Sequence, residues 1–184
     1  MISDSELFHF LQREKIISKV QKSLEIIEHK NIDKANTLQK AVLEIDLNNQ
    51  NLWALKCEDF PQNLRALESV AKKPEIIILN FKESFLDIIF IELKSKNWEF
   101  EDAKLKFENA FLWFLNFKRL FRDYKNQKLK FFGVIANQNS YQSQEYQNYY
   151  ENLDIFEDKS KKFKTKTFFT KKEKLNIKLS EIYN

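Results

Sequence analysis

Glycine, proline, cysteine and histidine are all scarce in this chain of 184 residues: there is one glycine, two prolines, one cysteine (Cys57) and two histidines (His9 and His29). A P-loop or a dinucleotide-binding fingerprint needs several glycines where backbone must approach phosphate closely, so neither motif exists here. A single cysteine cannot form an intrachain disulfide, and with two histidines it leaves no Cys/His set for a structural zinc. That thiol usage points to a reducing, cytoplasmic compartment. No stretch approaches the roughly 18 consecutive apolar residues of a membrane span. Residues 1–10 carry acids rather than the basic start of a signal peptide. The expectation is a soluble, cytoplasmic protein.

What is present is a globular composition, with 43% hydrophobic and 15% aromatic residues, enough for one core of ordinary size and a single domain. The net charge of +4 is unevenly placed. Lys159, Lys161, Lys162, Lys164, Lys166, Lys171, Lys172, Lys174 and Lys178 are accompanied by one acid, Glu173, which makes that segment +8 and leaves −4 for the rest.

Along the chain, Ser3 and Glu6 suit a capping box, and apolar residues at 7, 10, 11, 17, 20, 24 and 27 predict a helix over 4–29. Residues 32–47 suit a helix in their first part and a strand at 41–47. Asn48 to Asn51 is a turn cluster, 52–57 is β-like, and 61–71 reads as a short helix with Pro61 in its first turn. Residues 75–82 and 87–94 are β-branched and aromatic and read as an antiparallel hairpin about the polar break Glu83-Ser84. Apolar positions 100, 103, 107, 110, 114, 117 and 121 predict a deeply buried helix. Residues 128–136 form a further strand, parallel to 87–94 because strand, long helix and strand make a crossover unit. The Gln/Asn/Tyr/Ser tract 137–152 reads as a loop, and 163–169 with 175–179 as a last hairpin.

Side chains two apart on a strand share a face, so Glu92 and Lys94 project together while Leu93 points the other way. A hairpin symmetric about Glu83-Ser84 sets Glu75 across from Glu92. Opposed carboxylates repel unless a cation lies between them. Mg²⁺ or Mn²⁺ suits such oxygen ligands, and Lys94 is placed to orient or deprotonate an attacking water, or to stabilise charge on a phosphate.

Pro74-Glu75, then Glu92-Leu93-Lys94, then a long helix and a strand resemble the PD-(D/E)XK nuclease superfamily over roughly residues 52–136. The family pattern puts an acid on one strand, often after proline, and an (Asp/Glu)-x-Lys on the next. The resemblance implies a restriction-endonuclease-like α-β-β-β-α-β core, an α/β fold with a mixed central sheet flanked by helices. It also implies that Glu75 and Glu92 hold the metal, that the Leu93 carbonyl assists and that Lys94 serves the water. Glu75 stands where the family more often has Asp, which lengthens the ligand arm. A further polar residue on the following helix is expected, with Lys104, Glu108 and Asn109 all open to that part.

Acid-x-Lys triplets occur five times in so lysine-rich a chain, and only the Glu92 copy lies in a β-like run with the required neighbours. Asp87 is a rival acid, demoted because five residues put it on the opposite face of the strand from Glu92. Glu44, Asp46, Glu58 and Asp59 read as turn and edge residues, Cys57 as a small buried hydrophobe, and Trp53, Trp98 and Trp113 as core or rim aromatics.

The basic run from Lys159, interleaved with Phe163, Phe168 and Phe169, suits a phosphate backbone through counterion release. The expected organisation is a nuclease-like core over 1–136 that includes the N-terminal helix, followed by a polar loop and basic extension over 137–184. The expected activity is Mg²⁺- or Mn²⁺-dependent hydrolysis of DNA, or of RNA, with specificity supplied by a homodimer or a partner subunit. The other class of expectation is a non-catalytic nucleic-acid-binding or assembly subunit with the same fold.

Overall fold

Two β-branched runs flanking Glu83-Ser84 fold back on each other, and the Lys82 amide donates to the Phe85 carbonyl (3.0 Å) at the neck of the turn. This hairpin is the centre of the computed structural model, which describes residues 12–13, 17–30, 39–48, 50, 52–57, 74–82, 85–94, 102–103, 105–111, 128–137, 164–169 and 174–183. The strands are β1 (Ile17–Val20), β2 (Ser23–Lys30), β3 (Gln39–Asp46), β4 (Leu52–Lys56), β5 (Ile76–Phe81), β6 (Phe85–Lys94), β7 (Lys128–Asn137), β8 (Lys164–Phe169) and β9 (Lys174–Lys178). A short helix, Leu179–Tyr183, follows β9, and residues 102–103 and 105–111 are helical.

The strands form a six-stranded sheet of order β1-β4-β5-β6-β7-β8 and a three-stranded sheet of order β2-β3-β9. The fold is mixed α/β with a core made mostly of sheet. β4, β5 and β6 are antiparallel in succession, and β6 to β7 is parallel, as the crossover argument predicts. Between the sheets, Ile89, Ile91 and Leu93 of β6 pack with Leu43, Ile45 and Ile177 of the smaller sheet. The other face of β6 is covered by the 105–111 helix, with Phe90 stacked on Phe107 and on Phe131 at 6.2 Å between ring centroids in each case. β6 is therefore buried on both faces, which is why its sequence is nearly continuous in apolar residues.

Gly133 of β7 lies where the helix and β8 converge: a Cβ there would stand 2.9 Å from both the Phe107 ring and the Thr165 hydroxyl. The chain's one glycine is thus a packing requirement rather than a turn.

Two expectations are corrected. The helix expected over 4–29 gives way to β1 and β2 from residue 17 onward. Its apolar spacing at 17, 20, 24 and 27 mimics a helix, yet the buried residues are Ile17, Leu24 and Ile26, with Glu25 and Ile27 turned outward. Pairing with β3 settles that period-2 choice, because strand neighbours rather than local propensity decide a β-branched run. The last hairpin does not form either: β8 adds to β7 in the large sheet, and β9 adds to β3 in the small one, both in parallel. Residues 164–169 and 174–178 therefore each join a different sheet.

The ambiguous 32–47 segment is a strand from residue 39, and the Asn48 turn is present. Asn48 takes a left-handed φ of 50°, its amide bonds to the Asp46 carboxylate at 2.9 Å, and the Gln50 amide bonds to the Leu47 carbonyl at 2.9 Å. The expected helix at 61–71 and most of the 137–152 tract lie outside the described residues, as does the expected 100–121 helix beyond residue 111.

Candidate functional site

The β5–β6 ladder pairs Ile76 with Ile91, Ile78 with Ile89 and Asn80 with Asp87, which is the register expected from a turn at Glu83-Ser84. Its last rung is Ile76 to Ile91. Beyond it the Glu75 amide donates to the Ile91 carbonyl at 2.9 Å, and the Glu75 carbonyl accepts from the Cys57 amide at 3.3 Å. Glu75 is thus drawn one residue down the ladder, half-buried at a bend, instead of standing squarely across from Glu92. The two acids still share one end of the hairpin.

Glu92 is completely buried. Its Oε1 accepts from the Lys106 ammonium at 2.5 Å, and that lysine's side chain is 17% exposed. A carboxylate removed from water keeps its charge only with a cation and hydrogen bonds beside it, so Lys106 is the local price of burying Glu92. Lys104, Glu108 and Asn109 were the helix positions open from the sequence. Glu108 and Asn109 are half-buried, and the Lys104 side chain lies outside the described residues. Lys106 was legible in principle. It follows buried Ala103 by three residues and precedes buried Ala110 by four, so it is a lysine set inside an apolar helical stripe.

Leu93 is buried with its side chain in the core between the sheets. Successive carbonyls on a strand alternate sides, so the Leu93 carbonyl points to the same edge as the Ile91 carbonyl, toward the β5 side but past its last rung. Pro74, next in the chain there, has no amide hydrogen to offer. Lys94 closes β6 two residues beyond Glu92 and pairs with Asn137 of β7. Two carboxylates and a carbonyl near one strand end are hard oxygen donors, the chemistry that suits Mg²⁺ or Mn²⁺. A cation already stands against the buried one. Among the described residues no group of three His, Cys, Asp or Glu gathers as a metal cluster, so the fit rests on Glu92, Glu75 and backbone oxygen.

Asp87 lies at the other end of β6, buried to 1% exposure, and its Oδ2 accepts from Lys82 at 2.6 Å. The Lys82 ammonium sits over the rings of Phe85 and Tyr183 at 4.8 and 4.7 Å. Asn80, across the ladder from Asp87, donates to the Tyr183 hydroxyl at 3.0 Å and to Gln50 Oε1 at 3.5 Å. Burial pushes the Tyr183 phenol well above its usual range, against the Asn80 hydrogen bond, and the nearby Asp87 charge adds to the rise. This network fastens the C-terminal helix to the sheet; no sequence signal linked Tyr183 to it.

Of the basic run, Lys164 opens β8, Lys166 donates to the Glu181 carbonyl at 2.7 Å, and Lys174 pairs with Glu44 at 2.6 Å. That hydrogen bond raises the Lys174 pKa against desolvation, and the Glu44 and Glu25 charges add to the rise. The Lys178 amide bonds to Glu181 Oε2 at 2.6 Å. Lys159, Lys161, Lys162, Lys171 and Lys172 lie outside the described residues, as do His9, Glu58, Asp59, Trp98 and Trp113. Cys57 is buried, its thiol directed to the Leu55 carbonyl at 4.0 Å, and Trp53 is half-buried. No helix among the described residues is long and apolar enough to cross a membrane. No protein-family model, curated protein or solved structure matches this chain.

Proposed function

We propose that this chain is a metal-dependent nuclease with a restriction-endonuclease-like core, hydrolysing phosphodiester bonds in DNA in restriction, repair or defence. The observation that carries the reading is a fully buried carboxylate, Glu92, held against a cation at the end of β6 where Glu75 also lies. Antiparallel β4, β5 and β6, then a helix, then parallel β7 follows the β-β-β-α-β part of the order that the resemblance implies, while strands β1 and β2 stand where its first helix was expected.

In this reading Glu92, Glu75 and the Leu93 carbonyl hold Mg²⁺ or Mn²⁺, which when bound supplies charge neutralisation at the scissile phosphate and an acidified water. Lys94 orients that water or takes its proton. Phe90, on the same face of β6 as Glu92, and Phe107 of the covering helix are both fully buried, which keeps that face away from bulk water. The lysines from 159 onward hold the nucleic-acid backbone, with Lys166 and Lys174 first released from their internal contacts. A homodimer or partner subunit supplies specificity.

A second reading has its own support. Lys106 already neutralises Glu92, which suits a chain that keeps the fold and binds nucleic acid without cutting it. Incubating supercoiled plasmid and single-stranded DNA with the protein in Mg²⁺, Mn²⁺ or EDTA separates the two. The nuclease reading expects metal-dependent cutting that Glu92→Ala and Lys94→Ala abolish. DNA retained in a gel but cut by neither metal establishes the binding subunit instead.

A further inference from the structure

We propose that Lys106 is the resident cation of the Glu92 site and competes with the divalent metal for it, so that the metal loads only as the Lys106 ammonium leaves. This inference rests on the metal-site reading above and concerns how that site is regulated.

The Lys106 ammonium lies 2.5 Å from Glu92 Oε1, one of the oxygens that would hold the metal. A second cation brought to the same buried carboxylate meets like-charge repulsion at close range, in surroundings that screen it poorly. The two cations therefore exclude each other rather than share Glu92.

Lys106 is built to leave. Its stem runs from a helix seated by Ala103, Phe107, Ala110 and Phe111, all buried, so the ammonium can swing outward without unseating the helix. Its partial exposure places the end of the side chain at the solvent boundary. Among the described residues its ammonium contacts Glu92 alone. Lys82, the counter-cation of Asp87, is instead held over two aromatic rings. One lysine is clamped and the other is tethered only by the charge it neutralises.

Displacement has a direction. A phosphate of bound nucleic acid offers the released ammonium a new anion, while the metal takes over Glu92. Metal and polyanion then favour each other's binding, and by linkage the coupling is reciprocal.

The test is Mn²⁺ binding near pH 7, read from the free-ion EPR signal of the full chain without substrate. The expected result is that Lys106→Met and Lys106→Gln bind Mn²⁺ about tenfold or more tightly than the unmodified chain, and that adding Glu92→Gln removes the gain. Equal or weaker binding by the Lys106 variants, with the unmodified chain still binding, overturns the competition and leaves the metal site standing. No binding by any of them overturns both. A second measurement needs no variant: acetylation of Lys106, followed by mass spectrometry, should speed up in saturating Mn²⁺ relative to EDTA. An unchanged rate contradicts the proposal.

Discussion

β6 carries two buried carboxylates, Asp87 near its start and Glu92 near its end, on opposite faces and each paired with a lysine. The Asp87 end is over-determined. Lys82 comes from the same hairpin, two rings hold its ammonium, and Asn80, Gln50 and Tyr183 complete a network that ties the C-terminal helix to the sheet. At the Glu92 end the carboxylate is met by Lys106, delivered from a helix fourteen residues along the chain, beside a displaced strand start and a backbone oxygen aimed past the last rung. The same ingredients thus make a fastener at one end and a replaceable counter-ion at the other. What distinguishes them is how many groups hold the lysine.

The largest expected effect comes from Lys106→Met, which leaves Glu92 buried with its counter-cation removed. A loss of about 3–5 kcal/mol is expected in urea unfolding, as for breaking other buried pairs, and Mn²⁺ should recover part of it. Asp87→Asn removes a charge-assisted hydrogen bond to a half-exposed lysine and should cost about 1.5–3 kcal/mol. Mn²⁺ should recover none of that loss, and equal recovery at both ends would break the comparison. Gly133→Ala forces a methyl group against Phe107 and Thr165 and should cost about 1–3 kcal/mol by overpacking.

The smallest effect is a pH dependence at the Asp87 end. Tyr183 has its folded pKa raised above the ordinary 10.0, so the folded state holds its proton where the unfolded chain releases it. Its stabilising contribution is full below pH 10 and is lost as pH rises above that value. The urea midpoint should fall as pH rises above about 10, and Tyr183→Phe should fall less.

Much of the central sheet was legible because one polar break, Glu83-Ser84, sits between two β-branched runs. That fixed the register, and the long apolar helical stripe fixed β7 as parallel. The Asp87 face was legible for the same period-2 reason. β1 and β2 were not, because Ile17, Val20, Leu24 and Ile27 satisfy a helical period while the period-2 burial of Leu24 and Ile26 depends on a partner strand sixteen residues away. β8 and β9 looked like one hairpin because local alternation states that a segment is a strand but not which sheet it joins. At the site, Glu75 and Glu92 were brought to one end as expected, but the bend at Glu75 moved it one residue, a backbone effect that side-chain spacing does not encode. Lys106 went unread because charged residues on a helix are ordinarily solvated, and its place between Ala103 and Ala110 gained meaning only once a buried acid faced it.

The most direct test of the central claim is anomalous scattering from crystals of the protein grown or soaked with Mn²⁺. The account predicts a peak about 2.1 Å from a Glu92 carboxylate oxygen, near Glu75 and the Leu93 carbonyl, with Lys106 turned away and no peak at Asp87. A Glu92–Lys106 pair left intact at saturating Mn²⁺, with no peak beside it, would contradict the account.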